Sequence, residues 1–76
     1  MSPFDAQEYH IKFGDYINKT RKRRKLKQTQ LAEMVGITQP HLSYIERGMR
    51  DVDLALAIRL CDVLKVDIRD FANKYL

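Results

Sequence analysis

Apolar residues recur along this chain at spacings of three and four, broken by short polar joints, and no stretch alternates long enough to make a strand. The pattern predicts an all-α protein of five short helices. The first begins between Asp5 and His10 and runs to about Arg24, with Tyr9, Phe13, Ile17 and Thr20 as its inner stripe. A second, Gln28 to Val35, turns Leu31, Ala32 and Val35 inward and stops at Gly36, after which Ile37 plugs the turn. Thr38 suits the N-cap of a third helix, Gln39 to about Arg47, with Leu42 and Ile45 inward and Gly48 ending it. Pro40 falls in the first turn, where a missing N–H costs nothing, so the Thr38 hydroxyl is left to cap the N–H of His41.

Asp53 caps a fourth helix, Leu54 to about Leu64, and Asp67 a fifth that starts at Ile68 and carries Phe71 inward with Tyr75 beside it. The expected inner stripe of the fourth is Leu54, Ala57, Ile58, Cys61 and Leu64. Leu56, Leu60 and Val63 then form a second stripe, more apolar surface than one small core absorbs, which suggests a partner. All three glycines read as helix punctuation.

At 76 residues the chain has room for one domain with a thin core, spanning residues 1–76. Cys61 has no partner for a disulfide, and with only His10 and His41 beside it no zinc site can be assembled, so metal and cofactor are both expected to be absent. Met1 to Tyr9 has neither the basic nor the apolar part of a secretory leader, and the longest apolar run is the five residues Leu54 to Ile58. A reduced, cytoplasmic setting without a membrane span is the expectation. Paired carboxylates, a nucleophile with its base and a glycine-rich phosphate loop are all missing from the pattern, so an enzyme is not expected, and no small-molecule ligand is evident.

Charge sharpens the picture through its location. The net value of +4 divides into −2 over residues 1–18, +7 over 19–50 and −1 over 51–76. Seven bases (Lys19, Arg21, Lys22, Arg23, Arg24, Lys25 and Lys27) crowd nine positions next to the second and third helices. Those helices meet across a glycine turn, with Ala32 small enough for close approach, which is the pattern of a helix-turn-helix over 28–47. Residues 26–48, with Gln28, the Leu31-Ala32 pair, Gly36 and the closing run Ser43-Tyr44-Ile45-Glu46-Arg47-Gly48, and then Leu64 to Phe71, resemble the Xre family of phage-repressor and Cro-like DNA-binding proteins. The resemblance covers about residues 13–71 and implies a compact five-helix, lambda-repressor-like domain.

On a helix wheel Gln39, Pro40, Ser43, Tyr44 and Arg47 cover the face opposite Leu42 and Ile45. The resemblance implies that Gln39, Pro40 and Tyr44 reach base edges in the major groove, with Thr38, His41, Ser43 and Arg47 at the flanks near phosphate. It further implies that Gln28 holds the DNA backbone and braces the recognition helix, and that Arg21 and Glu46 form a structural ion pair. Arg23, Lys27 and Arg50 are further backbone candidates. Lys27 departs from the family, which usually places threonine or serine there; lysine cannot accept the capping hydrogen bond, so either water caps the helix or the lysine turns to phosphate.

The expected function is sequence-specific binding of double-stranded DNA by a repressor or autoregulator of transcription. A single short recognition helix offers few base contacts, so a homodimer on a palindromic operator is expected, with Leu56, Val63, Phe71, Tyr75 and Leu76 at its interface. The alternative is a small antitoxin-like or adaptor protein whose main role is holding a protein partner.

Overall fold

The computed structural model describes residues 6–75, folded as α1 (Ala6–Arg23), α2 (Gln28–Val35), α3 (Gln39–Glu46), α4 (Leu54–Val63) and α5 (Ile68–Tyr75). Phe13, Ile17, Leu31, Val35, Leu42, Ile45, Leu60, Leu64 and Phe71 are almost fully buried at its centre. α1 packs on α3 and α5, and α2 on α3 and α4. No helix among the described residues is long and apolar enough to cross a membrane.

Four helix ends close in the same way. The residue after the left-handed position returns its N–H to a carbonyl five residues back: Leu26 to Arg21 at 3.2 Å, Ile37 to Ala32 at 3.0 Å, Met49 to Tyr44 at 2.9 Å and Val66 to Cys61 at 2.9 Å. Gly36 and Gly48 supply the positive φ for two of these ends, but Lys25 (58°) and Lys65 (60°) supply it for the others. Leu26, Ile37 and Val66 then pack on the core, fastening three of the four turns, while Met49 stays exposed. The N-termini follow the expected side chains: Asp53 accepts from the Leu56 N–H at 2.8 Å and Asp67 from the Arg69 N–H at 2.9 Å.

Gly14 is not punctuation. It lies inside α1, where a Cβ would run into the Ile45 carbonyl oxygen and sit 3.1 Å from that of Glu46. Its missing side chain lets α1 and the end of α3 touch backbone to backbone.

The inner stripe of α4 also differs from expectation. Leu56, Ala57, Leu60, Cys61 and Leu64 are buried, while Leu54 and Ile58 are 71% and 50% exposed. Periodicity allows either stripe, and the neighbours decide: α4 is held between α2 and α5, which turns the Leu60 side inward. Consequently Leu56 belongs to the core of its own chain. Phe71 does too, wedged between Phe13, Tyr16 and Tyr9 at ring distances of 5.2, 5.3 and 5.6 Å. Val63 and Tyr75 pack against the same core, and Leu76 lies outside the described residues. The exposed large apolar residues of α4 are therefore Leu54 and Ile58, not the stripe assigned to a partner from the sequence. Burial pushes the Cys61 thiol up to about 11, as expected of a packed core thiol.

Candidate nucleic-acid interface

Thr38 sets the start of α3, its hydroxyl accepting from the His41 N–H at 3.3 Å past Pro40. Leu42 and Ile45 anchor the helix in the core, leaving Gln39, Pro40, Tyr44 and Arg47 exposed, with His41 and Ser43 half-buried at the edges. The Arg47 guanidinium lies over the Tyr44 ring at 5.1 Å, and its Nε reaches the Ser43 carbonyl at 3.4 Å. Arg50 is exposed in the loop that follows.

Behind this face is a cluster that ties three helices together. Glu46, its side chain 2% exposed, receives Arg21 Nε on one carboxylate oxygen at 2.7 Å. The other oxygen accepts from Arg21 Nη2 at 3.0 Å, Asn18 Nδ2 at 2.7 Å and Gln28 Nε2 at 3.0 Å. Arg21 Nη1 also donates to the Leu26 carbonyl at 2.7 Å. Burial alone would raise the Glu46 pKa, but the hydrogen bonds from Arg21, Asn18 and Gln28 together hold it below its ordinary value. The cluster continues outward, because the Gln28 carbonyl oxygen accepts from Gln39 Nε2 at 2.7 Å. A chain of hydrogen bonds thus runs from a buried carboxylate to the first exposed residue of α3. Asn18 was not foreseen, although its signal is present: Gly14, Asn18 and Arg21, at i, i+4 and i+7, form a small and polar stripe along α1.

Lys27 begins α2 without a side-chain cap; instead Gln30 Oε1 accepts the Lys27 N–H at 2.8 Å, and the ammonium is exposed beside Gln28. Arg23 departs from the group. It points toward α5, bonding Thr20 at 3.2 Å and lining a basic hollow with Tyr16, Lys19, Lys22, Lys74 and Tyr75, on the side of α1 away from Arg21 and Gln28.

The helix-turn-helix profile HTH_3 matches residues 17–71. The chain belongs to the HTH_3 helix-turn-helix family. Within this family of DNA-binding transcription regulators, it is 34% identical over 56 residues to the uncharacterised HTH-type transcriptional regulator YqaE of Bacillus subtilis. That match takes in 74% of the chain and 48% of YqaE, so the chain spans about half the length of its relative. Among solved structures, the HTH_3 fold here resembles the restriction-modification controller protein C.AhdI from Aeromonas hydrophila, with TM-score 0.81 and 28% identity over 90% of this chain and 99% of that one. It also resembles the biofilm master regulator SinR, solved in complex with DNA, with TM-score 0.72 and 26% identity over 79% of this chain and 97% of SinR.

Proposed function

We propose that this protein regulates transcription by binding a short palindromic operator as a homodimer, inserting the first turns of α3 into the major groove. The observation that carries the reading is the Gln28–Gln39 pair at the mouth of the helix-turn-helix. Gln39 gives one N–H to Gln28 and keeps its carbonyl oxygen and second N–H free, the acceptor and donor that the N6 and N7 edge of adenine requires. Pro40 and Tyr44 add apolar and aromatic contact on the same face, while Lys27, Arg47 and Arg50, with Thr38, His41 and Ser43 between them, take the phosphates. Arg23 has no part in this contact.

For the dimer, Leu54 and Ile58 replace the residues first expected, since they are the large apolar side chains that α4 leaves in water. Half-sites then repeat at roughly 34 Å, or about 10 base pairs. Selection of the preferred sequence from random DNA tests the reading. An inverted repeat, one position of which loses its preference in Gln39→Ala, supports it; no enriched sequence refutes it and favours a protein-binding role. Glutamate at both Leu54 and Ile58 should yield a monomer by sedimentation with weakened operator binding, and an unchanged dimer would reject that face.

A further inference from the structure

We infer that Glu46, although buried and out of reach of DNA, is a positioning residue for base selection, because it dictates which way the Gln39 carboxamide faces. The inference rests on Gln39 reading a base, as proposed above. A carboxylate can only accept hydrogen bonds. With its pKa held down, Glu46 stays ionised at neutral pH and so demands an N–H from Gln28. Having turned Nε2 toward Glu46, Gln28 must present its carbonyl oxygen on the other side, where Gln39 meets it at 2.7 Å. Of the two ends of the Gln39 carboxamide, only Nε2 can donate to that oxygen. Gln39 therefore offers donor and acceptor to the groove in one fixed order.

That order matters because adenine displays the N7 acceptor and the N6 donor in a fixed sequence across its edge. A reversed carboxamide would set N–H against N–H and oxygen against nitrogen. Among the described residues Arg21 and Asn18 are the other donors to Glu46, and both come from α1, so the carboxylate is fixed from behind while Gln28 links it to Gln39 at the exposed start of α3. The direction of each amide along this path is thus set by one buried charge.

Glu46→Gln tests the inference, because an amide at this position can offer Gln28 either an oxygen or an N–H and releases the constraint. Gln28→Met breaks the path at a half-buried site and serves if loss of the charge unfolds the domain. In wild type, the operator position read by Gln39 is first assigned as the one whose preference disappears in Gln39→Ala. Both variants should then lose about tenfold of the preference for that base, and Glu46→Gln, whose changed side chain does not face DNA, should bind random-sequence DNA as before. In the free protein, nitrogen-15 NMR should show one Gln39 side-chain amide proton protected from exchange in wild type and unprotected in Gln28→Met. A role confined to folding would instead weaken every sequence alike. If folded Glu46→Gln and Gln28→Met keep the wild-type preference, the inference is overturned while operator reading stands. Should wild type show no preference that depends on Gln39, the operator reading fails, and an unprotected Gln39 amide in the free protein rejects the positioning role by itself.

Discussion

Replacing Glu46 by alanine should be among the most damaging single changes available in this domain. It removes a carboxylate that takes four hydrogen bonds and leaves the Arg21 guanidinium, its side chain 10% exposed, with the Leu26 carbonyl as its one partner among the described residues. Breaking a buried pair from one side costs about 3–5 kcal/mol, because the surviving charge stays desolvated. A domain of this size has roughly 4–11 kcal/mol in total, at about 0.05–0.15 kcal/mol per residue. The melting temperature should therefore fall by roughly 12–40 °C, at about 4–8 °C for each kcal/mol. Urea unfolding followed by circular dichroism measures the loss, and a cycle of Glu46→Leu, Arg21→Met and the Arg21→Met/Glu46→Leu double variant separates the pair from its surroundings. The double variant should recover much of the stability, since an apolar pair leaves no buried charge. A loss below about 1 kcal/mol for Glu46→Ala, or no coupling in the cycle, would refute the reasoning. Acid should act on the same group. Its folded pKa lies below the ordinary 4.5, so its contribution is complete above that value and disappears as pH falls through the folded pKa. Glu46→Gln should flatten that part of the acid-unfolding profile.

Other outcomes can be stated from single positions. Lys65→Gly should raise the melting temperature by a few degrees, because a left-handed lysine costs about 1–2 kcal/mol and the added flexibility of glycine in the unfolded chain returns only about half of that; a fall would contradict the helix-end geometry. Gly14→Ala should destabilise by more than about 2 kcal/mol, beyond its better helix propensity, since the methyl group forces α1 and α3 apart at Ile45. Wild-type stability in Gly14→Ala would show that the two backbones do not touch. Lys27→Ala should reduce the salt dependence of DNA binding by about one unit on every sequence, whereas Arg23→Ala should leave it unchanged.

Much of the fold is legible in the sequence because apolar spacing and caps act locally. Thr38 with Pro40, Asp53 with Leu56 and Gly36 with Ile37 are decided within a few residues, and all three form as expected. What escapes depends on distant neighbours. Both apolar stripes of α4 satisfy the same periodicity, and only the placement of α2 and α5 chooses between them. Gly14 carries no local sign that a carbonyl from residue 45 will lie against it. Lys25 and Lys65 take left-handed positions that a reader would assign to glycine, because the packing of Leu26 and Val66 fastens the turn.

The basic run shows the same limit on the functional side. Seven bases in nine positions read as one charged surface, yet a helix turns 100° per residue and spreads them around its circumference. Arg21 goes inward to Glu46, Arg23 toward α5 with Lys19 and Lys22, and Arg24 to the Lys65 carbonyl at 3.3 Å. Lys27, past the end of α1, stands beside Gln28 at the start of α2. The most inward of these bases is still linked to the exposed start of α3, since Arg21 holds the carboxylate on which Gln28 rests and Gln28 holds Gln39. On the proposed reading, a cation turned away from the DNA-facing side thus governs where α3 offers its hydrogen bonds, while exposed neighbours such as Lys19 and Lys22 act through the long-range field.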